Sequence, residues 1–194
     1  MSASGAVVLA AGAASRMGRP KQTLLFDGEP LVARAVRAAC AAGCSPVIVV
    51  LGAHAAAVRR AACPLAASFV ENPRWSDGLG GSITAGLAAA RNAGSVFLLL
   101  ADQPFVDAAI LVRLRSALAS SGLAAAACRY GGAVGAPALF RRTLFGELSA
   151  LEGDEGARRV LVRDPGRVAL VDFPPGAVDV DTPEDAARVR ARFR

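Results

Sequence analysis

Aromatic residues are scarce in this chain, with one Trp, one Tyr and eight Phe among 194 residues. So few rings build no platform for stacking bases, which argues against a nucleic-acid binder even though the formal net charge is +6. The arginines are spread along the chain rather than clustered, a pattern that better fits a cationic surface attracting small polyanionic substrates. Histidine is nearly absent. His54 follows Gly52-Ala53 after an apolar run, with no triad or ligand set near it in sequence, so a solvent-facing loop residue is expected. The four cysteines, Cys40, Cys44, Cys63 and Cys128, are scattered through apolar context. No second Cys pair or His completes a zinc set, and buried free thiols are expected. Long apolar runs are missing as well, each being broken well short of the ~20 residues that span a bilayer. The start, Met1-Ser2-Ala3-Ser4-Gly5, has no basic stretch of a secretory signal. These absences point to a cytoplasmic protein with no membrane and no nucleic-acid partner.

What is present is an alternation of strand-like and helix-like segments, at a length suited to one domain spanning 1–194. Strands are predicted over 5–11, 46–51, 66–70, 95–101, 123–128 and 167–172. Helices are predicted over 29–42, 55–62, 80–93, 106–118, 144–150, 155–163 and 182–192. Asp27-Gly28 reads as a turn, and Pro137–Phe140 as a short edge strand. Thr182-Pro183-Glu184-Asp185 has the makings of a helix start, with a capping Thr and early carboxylates. The segment 95–101 is the most continuously apolar, hence central in a parallel sheet. The expected architecture is α/β: an open, mostly parallel, Rossmann-like sheet with helices on both faces and a small antiparallel extension. The change of rhythm after Cys128 divides the domain at about 1–128 and about 129–194, and the second half is expected to add the small antiparallel extension and the acceptor side of a cleft.

The first strand-like run, Val7-Val8-Leu9-Ala10-Ala11, ends abruptly in Gly12-Ala13-Ala14-Ser15-Arg16-Met17-Gly18-Arg19-Pro20-Lys21. Small residues admit a ligand close to the backbone, and successive N–H groups there can converge on an anion. Arg16 offers a planar fork for phosphate oxygens and Lys21 a compact point charge. The loop reads as a triphosphate cradle at the carboxyl end of the first strand, where open α/β sheets bind ligands. It is neither a dinucleotide fingerprint, since G-x-G-x-x-G is not present, nor a P-loop, since Gln22 follows Lys21.

Four further segments carry polar groups at element ends. Leu100-Ala101-Asp102-Gln103-Pro104 places Asp102 at the end of the central strand, as a turn former or, facing the cradle, as a carboxylate for Mg²⁺. Val178-Asp179-Val180-Asp181-Thr182-Pro183 places Asp181 before a helix start, where it serves the helix dipole or a metal. In Asn72-Pro73-Arg74-Trp75-Ser76-Asp77-Gly78-Leu79-Gly80-Gly81-Ser82, the glycines permit close backbone approach. There Ser82 can donate to a ribose or base, and Trp75 either walls the base or joins the core. Gly153-Asp154-Glu155-Gly156-Ala157-Arg158 reads as a capped surface helix or an acceptor-phosphate site.

These five segments, in order and over almost the whole chain, resemble the nucleotidyltransferases that attach a nucleotide to molybdopterin. The first is similar to that family's L-A-A-G-x-S-x-R-M-G-x-x-K. The resemblance implies that Leu9, Ala10, Ala11, Gly12, Arg16, Lys21, Gly78 and Ser82 bind the nucleotide. It also implies that Asp102 and Asp181 hold the metal, and that Gly153, Asp154, Gly156 and Arg158 face the acceptor. Leu9-Ala10-Ala11-Gly12, where the guanylyl branch tends to L-A-G-G, resembles the cytidylyl branch, and a methyl at Ala11 narrows the base pocket toward a pyrimidine. Gly135-Ala136-Pro137 departs from the family, which often has a polar residue before that proline.

The implied chemistry is Mg²⁺-dependent attack of the molybdopterin phosphate on the α-phosphorus of CTP. Arg16, Lys21 and Asp102 would be the catalytic residues, and positioning plus charge neutralisation would suffice. An apo-molybdoenzyme is a further possible partner. The rival readings are a transferase using GTP or a sugar-1-phosphate, and a non-catalytic pterin carrier.

Overall fold

The run Gly5–Leu9 forms strand β1, and every residue in it is buried. A strand buried on both faces must be covered twice, and side-chain alternation sorts its residues between the two covers. In the computed structural model, which describes residues 4–13, 20–63, 65–180, 182 and 184–185, Val8 faces one layer of helices and Val7 and Leu9 face the other. The first layer is α1 (Leu31–Ala41), α2 (Ala55–Ala62) and α4 (Ala108–Ser121), which present Val36, Val58 and Leu114 to the sheet. The second is α3 (Leu79–Ala89), α5 (Phe145–Ser149) and α6 (Arg158–Arg163), which present Ile83, Leu148 and Leu161.

Among the described residues the main sheet has seven strands. β1 is flanked in parallel by β4 (Val47–Leu51) and β6 (Ser95–Leu100), and β5 (Ser68–Glu71) pairs parallel to β4 at one edge. Beyond β6 come β8 (Ala133–Arg141), β7 (Ala125–Tyr130) and β9 (Val168–Asp172). β8 runs antiparallel to both neighbours, and β7 and β9 are parallel. The mostly parallel sheet with helices on both faces agrees with the expected architecture.

The Pro137–Phe140 segment does not lie at an edge. It belongs to nine-residue β8, inside the sheet between β6 and β7. Proline suggests an edge because it cannot donate to a ladder. Here the register shifts: Ala127 opposes Ala138 while Cys128 opposes Gly135, so Ala136 and Pro137 bulge out and no N–H is demanded of the proline.

A small antiparallel unit is present, but not after Cys128 where it is expected. It is a two-stranded hairpin, β2 (Leu25–Phe26) and β3 (Glu29–Pro30), and after Cys128 it is β8 of the main sheet that pairs antiparallel. The hairpin's turn is Asp27-Gly28, both with positive φ, a geometry that an Asp-Gly pair adopts readily. Glu29 and Pro30 therefore belong to the hairpin, and the helix expected from Glu29 begins at Leu31. The hairpin's Phe26 meets Phe105 edge to face at 5.6 Å, beside Leu24, Leu31 and Val180. Arg34 stacks over Phe26 and donates to the Pro104 carbonyl at 3.1 Å. This small cluster fixes the chain just after Asp102.

Some expectations change. Cys44 and Cys128 are buried, and burial pushes their thiols up to about 11 and about 12, respectively. Cys40 is only partly buried and Cys63 is exposed, because it ends a helix on the surface. His54 is half-buried rather than solvent-facing, with its Nε2 2.8 Å from the Ala13 carbonyl. Of the predicted closing helix, Thr182 and Asp185 are described and exchange reciprocal backbone–side-chain hydrogen bonds, as in a capping box. Its later residues lie outside the described residues. Among the described residues no helix is long and apolar enough to cross a membrane.

Alanines and glycines let the helices approach closely. At Gly86 in α3 an added Cβ would stand 2.3 Å from Val7 Cγ1. Gly86→Ala therefore overpacks the core and is expected to lower unfolding free energy by about 1–3 kcal/mol in urea denaturation. Gly146→Ala in α5, where a Cβ meets nothing within 4 Å, should leave it unchanged or raise it by up to about 1 kcal/mol.

Candidate active site

Two loops leave the sheet at one rim because their strands are parallel neighbours in register. Leu9 opposes Leu100, and the Ala101 amide reaches the Leu9 carbonyl at 3.4 Å. The cradle after β1 and the Asp102 turn after β6 thus emerge side by side at the carboxyl ends of the strands. A cavity of about 420 Å³ opens there. Of the residues singled out in the sequence, Leu9, Ala11, Gly12, Lys21, Gly78, Ser82, Asp102 and Asp154 line it, and so does Trp75.

Ala10 does not. The strand's alternation sends its methyl into the opposite core layer, and it serves the site through its backbone, donating to the Val50 carbonyl at 3.0 Å. Gly153, Gly156 and Arg158 are also not among the lining residues. Arg158 opens α6 and is exposed. Arg16 and Asp181 lie outside the described residues.

The centre of the cavity is an ion pair. Lys21 Nζ stands 2.5 Å from Asp102 Oδ2, with the two side chains 26% and 16% exposed. Asp102 Oδ1 is buried and has no hydrogen-bond partner among the described residues. A buried carboxylate oxygen left unsatisfied is costly and invites a cation. Among the described residues no group of three or more His, Cys, Asp or Glu could hold a metal. A metal at Asp102 would therefore draw most of its remaining oxygens from substrate and water. Mg²⁺ commonly binds in this way, with one or two carboxylates and phosphate oxygens. The Val180 amide donates to the Asp102 carbonyl at 2.9 Å, which ties the Val178–Val180 segment to this turn.

The Gly78–Ser82 and Gly153–Arg158 segments, assigned to nucleotide and acceptor on sequence grounds, meet as one wall. Gly78 has φ +113°, and an added Cβ would lie 2.1 Å from the Gly153 carbonyl carbon. The Gly80 amide donates to the Gly153 carbonyl at 3.0 Å, and a Cβ on Gly80 would strike the Leu151 carbonyl oxygen at 2.4 Å. The close approach that these glycines permit is thus to the chain's own backbone. Ser82 is buried in this wall's helix and accepts from Asn72 Nδ2 at 3.1 Å, so its hydroxyl hydrogen remains available to a ligand.

Three functional residues escape a sequence reading. Gln22 is 2% exposed, and its Nε2 donates to the Gly12 carbonyl at 3.0 Å, pinning the cradle's first glycine. Asn72 orients Ser82 and accepts from the Arg74 amide at 3.0 Å. Gly52 lies under the cavity, where a Cβ would meet the Ala11 carbonyl at 2.4 Å and Trp75 Cβ at 2.7 Å. Asn72 opens a quoted segment and Gln22 directly follows one, and a polar residue beside small ones is the available signal. Gly52 follows a strand as many turn glycines do and gave none. At Gly135-Ala136-Pro137, the Ala136 carbonyl accepts from Tyr130 Oη at 2.9 Å and Gln103 Nε2 at 3.2 Å.

The Asn72–Ser82 bond is testable by a double-mutant cycle. Asn72→Ala strips a buried hydroxyl of its donor and should cost about 1–3 kcal/mol of stability by denaturant titration. In a Ser82→Ala background the same change should cost less, with a coupling of about 0.5–3 kcal/mol.

Comparison with known proteins agrees with this geometry. Residues 6–168 match the family model described as a MobA-like NTP transferase domain. The chain is 35% identical to the nicotine blue oxidoreductase of Paenarthrobacter nicotinovorans, over 97% of this chain and 94% of that protein. It is 32% identical to the purine catabolism protein PucB of Bacillus subtilis, over 95% and 94%. The fold superimposes on the crystal structure of Rv0371c from Mycobacterium tuberculosis H37Rv with a TM-score of 0.83 and 32% identity, covering 97% of each chain. A second structure of Rv0371c, a complex with manganese, matches at a TM-score of 0.76 and 30% identity over 97% of this chain and 98% of that one. With its family model, its fold and its cavity in agreement, the chain belongs to the MobA-like NTP transferase family, whose enzymes are nucleotidyltransferases.

Proposed function

We propose that this nucleotidyltransferase moves CMP from CTP to the phosphate of a molybdopterin acceptor, with Mg²⁺, releasing pyrophosphate. The observation that carries this reading is the Lys21–Asp102 pair at the rim shared by β1 and β6, with one carboxylate oxygen buried and unsatisfied among the described residues. A cation and a carboxylate side by side in a cavity of about 420 Å³ suit a nucleotide and its divalent metal. The cytidylyl choice rests on the Leu9-Ala10-Ala11-Gly12 string, of which Leu9, Ala11 and Gly12 line the cavity. The molybdopterin acceptor rests on the resemblance of the five segments.

Asp102 and Asp181 would hold the metal. When bound, it neutralises phosphate charge. An oxygen of the acceptor phosphate attacks the α-phosphorus, a new P–O bond forms, and the bond to the bridging oxygen of pyrophosphate breaks. A phosphate monoester is already anionic near neutrality, so no general base is required. Lys21 would take the charge growing on the α-phosphate, and Arg16 that on the leaving pyrophosphate. Ser82 would donate to the base or ribose, held in place by Asn72. The remaining work is alignment.

The nicotine blue oxidoreductase relative gives a second reading, an oxidoreductase, supported by identity over nearly the whole chain. A hydride donor needs no metal carboxylate, and Asp102 therefore favours the transferase. Pyrophosphate release from CTP and molybdopterin, without oxidation of a reduced nicotinamide cofactor, is the expected result. The reverse pattern would sink the proposal.

Three measurements test the details. CTP with Mg²⁺ should raise the melting temperature more than GTP or ATP at matched concentration, because a ligand stabilises the state it binds. Lys21→Ala should lower turnover by an amount equivalent to about 2.7–4 kcal/mol while weakening CTP binding far less. Asp102→Asn and Asp181→Asn should each abolish most pyrophosphate release, the double variant being little worse than either.

A further inference from the structure

Asp102 is the carboxylate that a divalent cation would need, yet neither of its oxygens is open. Oδ2 is covered by the Lys21 ammonium at 2.5 Å. Oδ1 is shielded from solvent and has no partner among the described residues. A cation arriving from solution cannot take Oδ1 without entering a buried position, and it cannot take Oδ2 without displacing an ammonium. Sharing the oxygen is unfavourable, because the two positive charges would then stand in contact.

Lys21 is suited to move. Its charge sits on a flexible four-carbon stem, and the ammonium has no planar geometry to preserve. It lines the same cavity as Gly12 and Ala13, where the cradle would receive phosphate. A triphosphate entering that cavity brings several negative oxygens within reach of the ammonium. The attraction that holds Lys21 on Asp102 is then matched by a second one a short swing away. Once Lys21 leaves, Asp102 is exposed as an uncompensated carboxylate beside phosphate oxygens, and that set of hard oxygen donors suits Mg²⁺ or Mn²⁺.

We infer that Lys21 is a resident cation that closes Asp102 to divalent metal until nucleotide phosphates draw its ammonium away. Metal and nucleotide then bind with positive coupling. By linkage the coupling is reciprocal, so metal tightens nucleotide by the factor by which nucleotide tightens metal. The pair has two arrangements, Lys21 on Asp102 or Lys21 on phosphate with metal on Asp102. The inference rests on the nucleotidyl-transfer reading for the identity of the ligand that moves Lys21. Its first half, the exclusion of metal by Lys21, needs the ion pair alone.

The experiment is a Mn²⁺ titration followed by electron paramagnetic resonance of the free ion. The proteins are the wild type, Lys21→Met, Lys21→Gln and the double variant Lys21→Met/Asp102→Asn. Each is measured alone and with a CTP analogue carrying a methylene between the α- and β-phosphorus. Melting curves establish that each variant is folded, and Lys21→Gln keeps a polar group on Asp102 should the methionine variant fail to fold.

The wild type alone should bind Mn²⁺ weakly and gain about 5–150-fold on addition of the analogue, the usual range for coupled sites. A lysine variant should bind Mn²⁺ more tightly than the wild type without nucleotide, gain less from the analogue, and show a larger rise in melting temperature with Mn²⁺. The double variant should lose this gain. Equal or weaker Mn²⁺ binding by the folded lysine variants in the absence of nucleotide would overturn the inference. Failure of the nucleotidyl-transfer reading is distinguishable. It would appear as no pyrophosphate release from any nucleotide, while the Mn²⁺ difference between the wild type and the lysine variants, measured without nucleotide, persisted.

Discussion

Everything at the site depends on the parallel pairing of β1 with β6. Two adjacent parallel strands in register end at the same height, so the chain leaves both at one rim. One exit begins the Gly12 loop and the other carries Asp102. The ammonium of Lys21 then needs only to cross a cavity, and no long-range bending of the fold is required to bring cation and carboxylate together. Burial on both faces enforces the register. A one-residue slip of β1 would exchange Val7 and Val8 between two separate cores, and neither could accept the exchange without repacking.

The same alternation explains what could be read from the sequence. Continuous β-branched and leucine-rich runs marked the central strands, and apolar spacing marked α1 and α4. The rim position of Gly12, Lys21 and Asp102 followed from strand ends alone. Other features were hidden because they depend on partners distant in the chain. Pro137 looked like an edge residue until the bulge opposite Cys128 excused its missing donor. Ala10 and Ala11 look alike in sequence, yet only Ala11 faces the cavity, which depends on where the pleat starts. The glycines at 78 and 80 were read as room for a ligand, whereas they make room for the Leu151–Asp154 backbone. Polar residues with a satisfied role, such as Asn72 and Gln22, are indistinguishable in sequence from surface ones until burial is known.

The hairpin and the tail give the Asp102 turn a firm seat. Phe26 and Phe105 pack edge to face, Arg34 caps the Phe26 ring and holds the Pro104 carbonyl, and Val180 is buried in the same cluster. Val180 also donates to the Asp102 carbonyl. The carboxylate is thus fixed at its backbone from two sides. The ammonium opposite it hangs on a long stem. A rigid anion facing a movable cation is a sensible division where charge must be handed from protein to substrate.

The contact of Gly78 and Gly80 with Leu151–Asp154 has a consequence for descent and for engineering. The two loops lie more than seventy residues apart, yet the backbone of one leaves Gly78 and Gly80 of the other no room for a Cβ. Neither glycine can accept a bulkier residue while the Leu151–Asp154 backbone stays as it is. An exchange that brings a bulkier residue to position 78 or 80 must therefore transplant the facing loop with it as a single cassette. A chimera that carries one alone inherits a steric clash rather than a new specificity.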